Sequence, residues 1–159
     1  MKRASAGLLL AATCALGIGC GSDHGSGASP IACTSGPRTY LAALEEAPDA
    51  VLLDQQTPIS ECVVDDQGAG DLADVGQSIV AAATELNRRS HADPGGPDTV
   101  ALGYLVGAVE QGSATTAGIH QDLVRRLESA AGFVPGGGGP GPAFEKAYQR
   151  GYAAGQATG

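Results

Sequence analysis

The sequence predicts an all-α protein, a small bundle of about four to five helices behind a partly irregular N-terminal segment tied by a disulfide. Three observations support this fold class. After residue 70, apolar residues recur at spacings of three and four. Clusters of glycine and proline separate the periodic segments. No segment shows the period-two alternation that is typical of a strand.

The first predicted helix is short and leads into an irregular segment. Pro37 suits its first turn and Pro48 lies beyond its end, while its apolar face consists of Tyr40, Leu41 and Leu44. Residues 49–69 lack a clean period, and Thr57-Pro58 indicates a single helical turn leading to Cys62. A disulfide would explain how such a stretch stays ordered in a compact domain.

Two long helices are predicted next. Asp71 is the expected N-cap of the first, whose inward positions are Leu72, Val75, Ile79, Ala82 and Leu86. Asp98 is the expected cap of the second, which ends at Gly112 and turns Leu102, Leu105, Val106 and Val109 inward. Gly103 and Gly107 lie one turn apart, each about 1 kcal/mol less favourable than Ala in a helix. We interpret this pair as a close contact with another helix.

The third and fourth long helices complete a single domain over residues 33–159. The third runs to Gly132, with Asp122 and Arg126 as an i, i+4 ion pair, and its inward positions are Ile119, Leu123, Leu127, Ala130 and Ala131. A Gly-rich linker at 136–141 precedes the fourth, which Pro142 opens. That helix carries an aromatic stripe beside a small-residue ridge: Phe144, Tyr148 and Tyr152, then Ala147, Gly151 and Gly155. Short links predict antiparallel consecutive helices.

Residues 1–19 have the layout of a secretory signal. Lys2 and Arg3 precede an apolar run of about a dozen residues, whereas a spanning helix takes about 20. The run ends in Leu16-Gly17-Ile18-Gly19-Cys20, which resembles the signal peptides of bacterial lipoproteins, although Leu16 lies one place before the family's leucine position. Cys14 is a rival acceptor that would halve the apolar run. The resemblance implies that Cys20 becomes the lipid-modified N-terminus; an ordinary signal would leave a secreted protein.

Export then determines how the remaining cysteines are interpreted. Residues 20–32 are rich in Gly and Ser and indicate a flexible tether. Cys33 and Cys62 are left as a pair in an oxidising compartment, where a structural disulfide is the expected state. A metal or redox pair is the alternative, but the spacing lacks CxxC and no histidine is adjacent.

Charge argues against nucleic acid as a partner. Without Lys2 and Arg3, seven basic residues face seventeen acidic ones, a net charge of −10 with His neutral. Such a chain is poorly suited to polyanions or anionic headgroups. No cofactor motif is present, and the acidic stretch at 65–74 fails the EF-hand spacing. We find no nucleophile with a base and an orienting group, so we expect no enzymatic activity.

Two features remain as candidates for ligand or partner contact. His120 lies at the border of the third helix's apolar arc, where a satisfied structural histidine is the common case. Phe144, Tyr148 and Tyr152 would pack on the bundle or dock in a partner's groove. The leading interpretation is a membrane-anchored extracytoplasmic lipoprotein that acts as a binding or interaction module, and the partner it implies is an envelope protein. The alternative is a carrier of a small apolar ligand or cofactor, with His120 as its polar contact.

Overall fold

A computed structural model describes residues 27–132 and 141–159. The signal at 1–19, Cys20 and nearly all of the Gly-rich linker lie outside these residues. In chain order the elements are α1 (Ile31–Thr34), α2 (Pro37–Ala43), β1 (Leu52–Leu53), β2 (Thr57–Pro58), α3 (Ala69–Ser90), α4 (Pro97–Ser113), α5 (Gln121–Ala131) and α6 (Pro142–Thr158). Two 3-10 turns, Leu44–Glu46 and Ile59–Cys62, complete the N-terminal half.

The all-α class is confirmed, with six helices in the described part of the chain. The four long helices run alternately up and down. Gly76 near the start of α3 faces Leu123 near the start of α5, and Asn87 near the end of α3 faces Gly132 just beyond α5. α3 and α5 therefore run in the same direction. α4 lies centrally, with every residue from Thr99 to Val109 buried.

α6 packs on α4, in the same direction, through the two sets of glycines. Gly103 and Gly107 face backbone atoms of Tyr148, Tyr152 and Gln156. Gly151 and Gly155 face backbone atoms of Val100, Tyr104 and Ala108 in return. A Cβ at any of these four glycines would lie far inside van der Waals distance of main-chain atoms. The close helix contact expected from Gly103 and Gly107 is confirmed, and α6 is the helix that makes it.

Two helices begin earlier than the capping residues suggest. α3 begins at Ala69, with Gly68 in the N-cap position, and α4 begins at Pro97 after Gly96. Asp71 is therefore inside the first turn of α3, and its carboxylate accepts a hydrogen bond from the Ser29 backbone N–H at 3.0 Å. The N-cap assignments of Asp71 and Asp98 were wrong: Gly68 and Gly96 hold the N-cap positions, Pro97 opens α4, and the Asp71 carboxylate binds the Ser29 N–H instead.

The N-terminal half includes a feature that the sequence pattern does not predict. β1 and β2 form a two-stranded antiparallel ladder in which Leu52 pairs with Pro58 and Leu53 with Thr57. Two residues a strand are too few to show an alternating pattern, so the ladder escapes periodicity analysis. Leu53 is fully buried, and the ladder leads directly into the 3-10 turn that ends at Cys62.

Candidate functional site

The disulfide between Cys33 and Cys62 is confirmed. Its sulfurs are 2.03 Å apart and its Cα atoms 5.4 Å apart, and both residues are fully buried. It joins α1 to the 3-10 turn after β2. The Tyr40 hydroxyl donates to the Cys33 carbonyl at 2.9 Å, so the bridge lies within a bonded and packed core.

His120 is fully buried and is held from both sides. Its Nδ1 lies 2.9 Å from Thr116 Oγ1, and its Nε2 lies 2.7 Å from Gln67 Oε1. Gln67 in turn donates through Nε2 to the Cys62 carbonyl at 3.0 Å and to Ser29 Oγ. This chain of contacts, which we call the His120 cluster (Ser29, Gln67, Thr116 and His120), ties the N-terminal segment to the start of α5.

The partners of His120 determine its neutral tautomer. Gln67 uses its amide N–H groups elsewhere and presents its oxygen, so Nε2 of His120 carries the proton and donates. Nδ1 lies 2.9 Å from Thr116 Oγ1, whose single proton is also within reach of the Ser113 carbonyl at 2.9 Å. Burial is the main cause that lowers the pKa of His120, and the Asp65 charge opposes it. Burial thus favours the neutral ring, and both ring nitrogens have a protein partner.

The start of α5 differs from the predicted helical face. Ile119 was expected to point inward, but it is 40% exposed, whereas His120 is fully buried. Both residues precede the first helical turn at Gln121, so the 100° helical spacing does not apply to them. Asp122 pairs with Arg125 at 2.8 Å, not with Arg126 as expected.

Gly27, the first residue that the structure describes, contacts the loop before α3. The Gly68 N–H donates to the Gly27 carbonyl at 3.2 Å, and Gly27 has a φ of +99°. A side chain there would meet the Asp66 carbonyl, so both conformation and space require glycine. These contacts begin six residues before the domain start expected at Cys33. No local sequence signal indicates them, because each depends on a partner about 40 residues away.

The aromatic stripe of α6 lies against the bundle. Phe144 and Tyr148 are buried, and successive rings stack with centroids 5.8 Å and 6.4 Å apart. The Tyr152 hydroxyl donates to a Glu110 carboxylate oxygen on α4, which raises the pKa of Tyr152 to about 12. The stripe and the glycine ridge together dock α6, so its apolar side is already covered by α4.

An open apolar groove of about 250 Å³ separates the first turns of α3 and α5. Asp122 and Arg126 lie at its polar edge, and its other lining residues are Ala69, Leu72, Ala73, Gly76, Ile119 and Leu123. Ile119 is half-exposed at this groove, and Ile31 of α1 is 85% exposed. These are the most exposed large apolar side chains among the described residues, and helical periodicity predicts the opposite for Ile119.

Neither a metal centre nor a spanning helix occurs in the part of the chain that the structure describes. No three His, Cys, Asp or Glu side chains there could hold a metal ion. None of its helices is long and apolar enough to cross a membrane. No protein-family model, curated protein or solved structure matches this chain.

Proposed function

We propose that this protein is an extracytoplasmic lipoprotein, anchored through Cys20, whose helical domain acts as a binding or interaction module. The buried Cys33–Cys62 disulfide is the observation that carries the proposal. Such bonds persist in oxidising compartments and are rare in the reducing cytosol, which agrees with export. The signal that ends at Cys20 supplies the route and the attachment point.

The geometry favours a module over a carrier of an apolar ligand. The carrier hypothesis relies on His120 as its polar contact, yet both ring nitrogens are bound by Thr116 and Gln67. The groove between α3 and α5 instead opens at the surface, with Ile119 exposed beside it. A surface with exposed apolar side chains is better suited to contact with a protein or a membrane than to enclosing a small molecule.

The anchor is tested by exchanging each candidate acceptor. Cys20→Ser should lose all acyl mass and leave the membrane fraction. Two or three acyl chains anchor a protein stably, and this variant carries none. Cys14→Ser is the matched control and should stay acylated and membrane-bound. Intact-mass spectrometry of the two variants and the wild type measures this. An unacylated wild-type chain, or acylation that moves with Cys14, would contradict the assignment.

Native mass spectrometry separates the module from the carrier. The wild-type chain, extracted in detergent, should give only the acylated protein with detergent adducts that fall away on activation. A discrete small molecule that is retained on activation would favour the carrier. Because the groove is open, we expect no such retained species.

A further inference from the structure

We propose that the end of the domain where the chain enters, which we call the entry end (Ile31, Ile119 and the first turns of α3 and α5), docks on the net-neutral interface of a phospholipid bilayer. This deepens the proposed function and rests on acylation of Cys20. The occupant is the membrane that holds the anchor, not a second protein.

The length of chain before Gly27 limits which surface can meet the membrane. Only seven residue steps separate Cys20 from Gly27, and a fully extended chain spans at most about 3.6 Å per residue, or about 25 Å in total. Gly27 is fixed to the loop before α3 by its bond to Gly68, and Ser29 by its bond to Asp71. An anchor at Cys20 therefore keeps this end of the molecule near the interface.

The exposed isoleucines lie at the same end. Ile31 follows Ser29 by two residues, and Ile119 directly precedes His120. The side chain of Gln67 alone bridges Ser29 and His120, so the two isoleucines flank one cluster. Apolar side chains at a membrane-proximal surface insert into the boundary between headgroups and acyl chains. The position of these side chains thus agrees with the position of the anchor.

Charge selects the kind of lipid. The loop beside Gly27 carries Asp65 and Asp66, both exposed, and Asp71 follows in α3. These carboxylates would be repelled by anionic headgroups within a Debye length. Basic residues near this end are the exposed Arg38 at the start of α2, which follows α1, and Arg125 and Arg126 on α5, of which Arg125 is paired with Asp122. We therefore expect docking on zwitterionic lipid and weaker docking on anionic lipid at low salt.

The chain contains no tryptophan, so a single introduced one reports its own depth. Ile31→Trp and Ile119→Trp place it at the entry end. Ala92→Trp is the matched control, exposed just beyond α3, whose 22 residues put it about 33 Å from the entry end. Each acylated variant is reconstituted into phosphatidylcholine vesicles with or without bromine on the acyl chains, and its acylation is verified by mass.

The Ile31→Trp and Ile119→Trp variants should lose roughly half of their emission to brominated lipid, since interfacial apolar residues lie about 5–10 Å deep. Ala92→Trp should be unaffected, and anionic lipid should reduce the quenching of Ile31→Trp until salt is added. If both entry-end variants are acylated but unquenched, or if Ala92→Trp is quenched equally, the docking is overturned but the lipoprotein proposal stays intact. Protein without acyl mass would overturn both.

Discussion

The buried hydroxyl of Tyr104 connects the irregular N-terminal half to the central helix α4. The Tyr104 hydroxyl accepts the Val51 N–H at 3.0 Å and lies 2.9 Å from Thr158 Oγ1. Tyr104 and Val51 are both fully buried. One side chain on α4 therefore satisfies a main-chain group of the segment before β1 and also reaches the end of α6.

Tyr104→Phe should lower the free energy of unfolding by about 1–3 kcal/mol, because the buried Val51 N–H loses its acceptor. Tyr152→Phe is the comparison, since its partner Glu110 is part-exposed and water can replace the hydroxyl. The loss in Tyr152→Phe should therefore be smaller. Urea unfolding followed by circular dichroism measures both, and equal losses would contradict the role given to Tyr104.

Acid should destabilise the protein through His120. Burial lowers its pKa in the folded state, so the fold favours the neutral form. This contribution is complete above the unfolded pKa of about 6.5 and is lost as pH falls through the lowered folded pKa. Unfolding free energy should therefore decline as the pH falls below about 6.5.

His120→Gln should flatten this decline, even though it lowers stability at pH 7 by removing the contacts to Gln67 and Thr116. His91→Gln is the control, because His91 is exposed beyond α3 and should keep the wild-type profile. Urea unfolding at a series of pH values gives both curves. An unchanged slope in His120→Gln would show that other groups cause the acid dependence.

The packing of α4 against α6 depends on glycines, which have no side chain. Glycines on each helix face main-chain atoms of the other, so the two backbones approach more closely than Cβ atoms would allow. The bundle has few aromatic residues, and we infer that it gains dispersion contacts from this approach. This close approach of the two backbones determines where α6 lies on α4.

Gly151→Ala should destabilise the protein by about 1–3 kcal/mol or more, because the added methyl meets the Val100 carbonyl and the backbone must shift. Gly70→Ala is the matched control on α3, where nothing lies within 4 Å of the new Cβ. Its better helix propensity should leave stability unchanged or raise it by up to about 1 kcal/mol. Thermal unfolding of the two variants compares them, and equal melting temperatures would refute the close packing.

Helical periodicity is informative inside these elements and fails at their ends. The inward positions Val75, Ile79 and Leu86 of α3 are buried as expected. At the start of α5 the same rule placed Ile119 inside and His120 at the border, the reverse of what is found. The rule assumes helical dihedrals, and these two residues lie before the first turn, where Gln67 and Thr116 determine the direction of His120.

At the scale of the whole molecule, the disulfide limits how far apart Cys33 and Cys62 can move when the protein unfolds. Cys33 and Cys62 are 29 residues apart, a loop whose closure the chain-entropy argument values at about 3.6 kcal/mol. The bridge encloses α2, the ladder and both 3-10 turns. We expect these elements to depend on it more than the long helices do.

Reduction should therefore lower the free energy of unfolding by about 3–4 kcal/mol. The double variant Cys33→Ala/Cys62→Ala should match the reduced wild type and be insensitive to reductant. Hydrogen exchange should show the loss of protection first in residues 37–62. Uniform loss over α3 and α4 as well would contradict a local role for the bridge.

The helical class, the periodic faces of the long helices and the pairing of Cys33 with Cys62 follow from the order of residues in the chain. They do so because helical period, glycine and proline breaks, and an even pair of cysteines after a signal-like N-terminus are local or compositional properties. Three other features exist only through the packed fold: His120 is a buried structural residue, α6 packs on α4, and Gly27 and Ser29 hold the entry of the chain. Each depends on partners about 40 to 50 residues apart, such as Gln67 with Ser29 and with His120, and such distant contacts leave no periodic signal in the sequence.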